Sequence, residues 1–183
     1  YFFEPLFTDF TTGGQTGILD WFTVLSGVVA FVALAVHGAN YVALKTEGEI
    51  NARARKVVSV GWYALVLSTI ASLAAVINVR PQLLENYYSL PIGWLIPILV
   101  LAALAALKYF NGKGNEKMAF IASSVYLAMM LGGAVYGLYP NVLPALDPAH
   151  SLTIHNSKAG AYGLSVGLIW WPIGIIIALG YFT

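Results

Sequence analysis

The sequence has no cysteine. Disulfides, thiolate metal sites and cysteine nucleophiles are therefore excluded. Charge is nearly as scarce. Charged residues make up 9% of the 183 positions, where a soluble domain carries about 25%. The net charge is +1, and nothing in it points to nucleic acid. Phosphate-binding loops, nucleophile elbows and closely spaced metal-ligand motifs are missing as well. What is present is apolar. Hydrophobic residues make up 59% of the chain, and the mean hydropathy is +0.77. This is the composition of an integral membrane protein, read here as a single membrane domain over 1–183. The chain opens on Tyr1, without a signal-peptide pattern. It is expected to be a piece of a longer polypeptide or a processed one.

Residues 1–19 are too polar to span. Five apolar runs follow, and they predict transmembrane helices over about 21–44, 57–79, 92–110, 117–139 and 160–182. The first is the best marked. Asp20 stands at the N-cap position, and Trp21 and Phe22 follow at headgroup level. Lys45 and the mixed-charge segment to Lys56 stop it. Glu47-Gly48-Glu49 reads as a turn that also supplies a partner for Arg53. The second run ends at Arg80-Pro81, because proline disfavours helix in the residue before it. Residues 80–91 read as a loop. The third run opens at Pro91 and Trp94, with Pro97 as an interruption. Asn111 to Asn115 is a tight turn, and Pro140, Pro144 and Pro148 mark the last loop. Lys45, Arg53, Arg55, Lys56, Lys108, Lys113 and Lys117 fall on one side, and Arg80 and Lys158 on the other. By the positive-inside rule the N-terminus is outside and the C-terminus cytoplasmic.

Polar residues inside the spans are few and ordered. Thr23, Ser26, Ala30, Ala33, His37 and Asn40 recur at spacings of three and four and share one face. Such a face should meet protein, since lipid offers a histidine or asparagine no partner. His37 is the one histidine in a span. Three roles compete for it: a hydrogen-bonded packing residue, part of a proton or quinone path together with Asn40, and a haem ligand. The haem role needs a second histidine at similar depth, and His150 and His155 both lie in the last loop. Those two read as loop residues, with a metal pair beside Asp147 as the alternative. Gly133 and Gly137 form a small-xxx-small pair. Gly160, Gly163, Gly167 and Gly174 form a stripe in the last span. Both read as surfaces where helices approach closely. The structural candidates are thus Asp20, Gly133, Gly137, Gly163 and Gly167. No catalytic residue and no metal site is assigned. Trp170, Trp171 and Pro172 lie mid-span, which suggests packing or a kink.

Three stretches carry a family resemblance. The first is Gly17-Ile-Leu-Asp20-Trp-Phe-Thr23, leading into His37-Gly-Ala-Asn-Tyr41, Leu44 to Glu49 and Arg53. The second is Gly137-Leu-Tyr-Pro140-Asn-Val-Leu-Pro144. The third is Ser151-Leu-Thr-Ile-His-Asn156, followed by Trp171-Pro172-Ile173. Together they resemble subunit II of cytochrome bd-type quinol oxidases, in its C-terminal half. The resemblance implies an all-α integral membrane fold, a four-helix bundle plus one additional helix, like half of that subunit. It implies a non-haem-ligating part of an enzyme that oxidises quinol and reduces O₂ to water. Haem b and haem d would sit in the partner, subunit I. This chain would hold no cofactor beyond a structural quinone or lipid. Other implied partners are membrane lipid, quinol, a small accessory subunit and the missing first half of subunit II. The implied location is a bacterial or archaeal cytoplasmic membrane. Two other classes stay open on the residues alone: a membrane anchor that binds a b haem itself, and half of a secondary transporter.

Overall fold

The first long helix, α1 (Trp21–Lys45), starts where its cap allows. The Asp20 carboxylate accepts from the Thr23 amide at 2.7 Å, and the Thr23 hydroxyl accepts from the Asp20 amide at 3.0 Å. This reciprocal pair satisfies two amide donors, a gain of roughly 1 kcal/mol. The structure, a computed structural model, describes residues 19–145 and 148–182. The other helices are α2 (Gly48–Val79), α3 (Glu85–Ser89), α4 (Leu95–Gly112), α5 (Glu116–Leu138) and α6 (Ala161–Phe182). Among the described residues, five helical segments are long and apolar enough to cross a membrane: α1, α2, α4 with the turn before it (Pro91–Gly112), α5 and α6. The chain divides into two units, one through Gly137 and one from Leu138.

In the first unit α1, α2, α4 and α5 share one core. Ala33 and Val36 enter from α1, Val58 and Leu65 from α2, Leu104 and Leu107 from α4, and Ala122 and Tyr126 from α5. Small residues dominate several of these positions. They let backbones approach, and close packing rather than solvent exclusion holds helices together in lipid. Gly61 of α2 shows how close the approach is. A Cβ there would stand 2.5 Å from Val36 Cγ2 of α1.

Helix α2 begins at Gly48, inside the charged segment, and not near Val57 where the apolar run starts. Glu49, Asn51, Arg53 and Lys56 extend it beyond its apolar part. At 1.5 Å per residue its 32 residues reach about 48 Å, well beyond a hydrocarbon core of about 30 Å. Gly48 takes φ +66° in the turn between α1 and α2, a conformation glycine adopts at least cost. Glu49 then meets Arg53 at 3.4 Å. Gly114, at φ +71°, takes the left-handed position just after α4. The Asn115 amide reaches back to the Phe110 carbonyl at 3.0 Å.

Residues 80–91 are not a plain loop. Two 3₁₀ turns, Pro81–Leu84 and Pro91–Trp94, flank α3. Proline opens both, where its missing N–H and fixed φ cost nothing. The same logic explains Pro97. It sits in the first turn of α4 and interrupts nothing. The second unit holds a small antiparallel pair, β1 (Asn141–Leu143) and β2 (Leu152–Thr153), with Asn141 opposite Thr153. Helix α6 follows. Within its own unit none of the α6 span is buried.

Candidate functional site

The polar groups of the first unit form a seam between helices. His37 on α1 meets Ser123 on α5, Nδ1 to Oγ, at 2.8 Å. Its ring stacks on Phe120, with centroids 4.8 Å apart. Both partners lie on one face of α5 because they are three residues apart. Ser123 is buried, and so is Asn40 one turn along α1 from His37. The Asn40 amide nitrogen donates to the Val36 carbonyl at 2.8 Å. Its oxygen takes no hydrogen bond from another described residue. Deeper along α5, Tyr126 is 1% exposed and its hydroxyl lies 2.8 Å from Thr69 Oγ1 on α2. Trp62 of α2 donates from Nε1 to the Leu104 carbonyl of α4 at 2.8 Å.

The six-residue face read from the sequence is divided. Ala33, His37 and Asn40 turn toward the bundle. Thr23, Ser26 and Ala30 are exposed on this chain, and Ser26 bonds its own helix at the Phe22 carbonyl.

Gly133 approaches α4, where an added Cβ would lie 3.3 Å from Ile96 Cγ2, and both glycines also meet a shorter element. Here α3 and its flanking turns fold onto the end of α5. Tyr87 donates to the Gly133 carbonyl at 2.9 Å, and Asn86 to the Tyr136 carbonyl at 2.8 Å. Tyr136 donates in turn to Leu90 O at 2.8 Å. A Cβ on Gly137 would lie 2.9 Å from the Leu83 carbonyl oxygen, and one on Gly93 would run into the Tyr136 ring. Burial, followed by the neighbouring Tyr136, raises the Tyr87 pKa above the ordinary tyrosine value.

In the second unit a Cβ on Gly167 would meet nothing within 4 Å, and one on Gly163 only Ala159 Cβ at 3.8 Å. His155 is exposed in the turn after β2, and His150 ends the 3₁₀ turn Pro148–His150. Asp147 lies outside the described residues. Among the described residues no cluster of three His, Asp or Glu side chains could hold a metal ion.

Sequence reading missed Ser123, Thr69, Tyr126 and Tyr87 as contacts. The available signal was their chemistry: a hydroxyl inside an apolar span needs a partner.

Among the described residues, five apolar helices, four of them closed on one polar seam, define a multi-pass integral membrane protein. The chain belongs to the cytochrome bd terminal oxidase subunit II family, whose model matches residues 2–183. It is 27% identical to a probable cytochrome oxidase subunit 2 of Haemophilus influenzae, over 93% of this chain and 52% of that protein. It is 26% identical to the cytochrome bd ubiquinol oxidase subunit 2 of Bacillus subtilis, over 81% of this chain and 43% of that one. The cytochrome bd-I ubiquinol oxidase subunit 2 of Escherichia coli is 27% identical, over 94% of this chain and 52% of its own length. The chain thus spans about half the length of the curated relatives it matches.

Proposed function

We propose that this chain is a non-haem-ligating membrane subunit, or part of one, of a cytochrome bd-type quinol:oxygen oxidoreductase. It packs in the cytoplasmic membrane against a haem-bearing subunit I, where electrons from quinol reduce O₂ to water. The observation that carries this reading is the family match along nearly the whole chain. The relatives' printed names supply the class of reaction.

The geometry supports a packing role for this half. His37 stacks on Phe120 and bonds Ser123 through Nδ1, the contacts of a packing histidine. The other histidines, His150 and His155, lie outside the long helices. That donor set does not fit a bis-histidine haem, and no electron-transfer step is assigned to these residues. Two faces offered to a partner are the α6 stripe with Gly163 and Gly167, and the exposed Ser26 and Ala30 of α1. The cations at the Lys45, Arg55 and Lys113 end support an orientation with that end in the cytoplasm and the N-terminus outside.

A reduced-minus-oxidised optical spectrum tests this. The complex is drawn from its membrane through this chain, then the chain is separated. Bands of haems b and d in the complex, with none on the separated chain, are expected. A b-type band that stays with the chain and is lost on His37→Gln overturns the non-ligating role. Absence of haem from the complex itself overturns the oxidase reading.

A further inference from the structure

At the charged end of the bundle, α2 and α4 leave a groove of about 420 Å³ between them. Arg55, Lys56, Asn51, Ser59 and Asn111 line it, and no carboxylate does. The Arg55 guanidinium is held in place, because Nη2 donates to the Asn111 carbonyl at 3.0 Å. A guanidinium carries five N–H donors, so most remain for a ligand. Ser59 Oγ accepts from Asn111 Nδ2 at 2.9 Å, and its own proton makes no bond with another described residue. Lys56 is exposed and has no partner among the described residues. Glu116, which is not among the lining residues, accepts from Asn51 Nδ2 at 3.2 Å. The groove therefore presents two cations and a hydroxyl donor to one volume. That is the chemistry of a site for a phosphate ester.

Its depth is marked independently. Trp62 and Tyr63 follow Ser59 by about one helical turn, roughly 5 Å. The Lys108 ammonium sits over both rings, at 4.7 and 4.3 Å from their centroids. Trp, Tyr and a lysine reaching outward mark the headgroup level of a membrane. The groove lies just outside that belt. Beyond the belt, Leu67 on the Lys56 face of α2 and Leu101 on the Lys108 face of α4 are exposed, which gives acyl chains an apolar track.

We propose that this groove binds the phosphate of an anionic phospholipid, with Arg55 and Lys56 supplying charge and Ser59 a hydrogen bond. Basic recesses between membrane helices suit such headgroups. The site is independent of the oxidase reading, since it needs only the bundle and the membrane.

The test is native mass spectrometry of the full chain in its native assembly. The sample is stripped of lipid and then given phosphatidylglycerol or phosphatidylcholine. Preferential retention of phosphatidylglycerol is expected. Lys56→Gln should lower that retention about fivefold, the equivalent of the ~1 kcal/mol a cation contributes at an anionic surface. Ser59→Ala should also lower it, and Lys158→Gln, in the other unit, should leave it unchanged. Both Lys56 and Lys158 are exposed and make no hydrogen bond or ion pair with another described residue, so folding does not confuse the comparison. Equal retention of the two lipids, or no difference between Lys56→Gln and the parent chain, overturns the proposal. So does displacement of the lipid by millimolar inorganic phosphate, which would make free phosphate the ligand.

Discussion

The bond between Tyr126 and Thr69 has a direction, and the direction predicts unequal mutants. Thr69 Oγ1 lies 2.7 Å from the Leu65 carbonyl oxygen, which can only accept. The single threonine proton goes there. Tyr126 must then donate its own proton to Thr69 Oγ1, across 2.8 Å. In Tyr126→Phe the donor is removed, and Thr69 keeps its bond to Leu65. No buried group is orphaned. The cost is that of one hydrogen bond between membrane helices, on average about 0.6 kcal/mol. In Thr69→Val the shape is kept but the acceptor is lost. The Tyr126 hydroxyl, on a side chain 1% exposed, then has no partner, which costs about 1–3 kcal/mol. Thermal unfolding in detergent, with both single variants and the double variant, measures this. Thr69→Val should be the more destabilised single variant, and adding Tyr126→Phe should recover part of the loss. If Tyr126→Phe proves the more damaging, the assigned direction is wrong.

Three further outcomes are expected. Gly137→Ala should destabilise the first unit by about 1–3 kcal/mol, as overpacking does, because the new Cβ meets the backbone of Leu83; unfolding of the purified chain reads it. Gly163→Leu or Gly167→Leu should lower the yield of assembled complex, measured as haem recovered with the chain. Tyr87 carries a raised pKa. Its stabilising contribution should be complete below the unfolded tyrosine pKa of about 10 and decline as pH rises from there through the folded value. Comparing the parent chain with Tyr87→Phe across that alkaline range isolates it, and parallel curves would refute it.

The long helices were legible because their cause is local. An apolar run of twenty or so residues, bounded by a cap, a charge cluster or a proline, has few alternatives in a membrane. The Asp20 cap, the glycine turns at Gly48 and Gly114 and the Glu49–Arg53 pair are likewise written within a few positions. Pro97 and residues 80–91 were read too simply. Proline breaks a helix in its middle yet opens one at its start, and the register decides which. The partner of His37 was not legible at all. Ser123 is 86 positions away, and nothing in either neighbourhood names the other.

The sequence alone determined the class of protein, the family, and which runs form long apolar helices, because hydropathy, charge and capping act over one or two helical turns. Only the tertiary structure decided which polar side chains close on one another. It joined His37 to Ser123 and Thr69 to Tyr126, set Gly137 against the turn at Leu83, and placed Arg55 and Lys56 around a groove with Asn111. Those pairings depend on how the four helices rotate and slide against each other. Close packing of side chains from all of them fixes that, and no single stretch contains it.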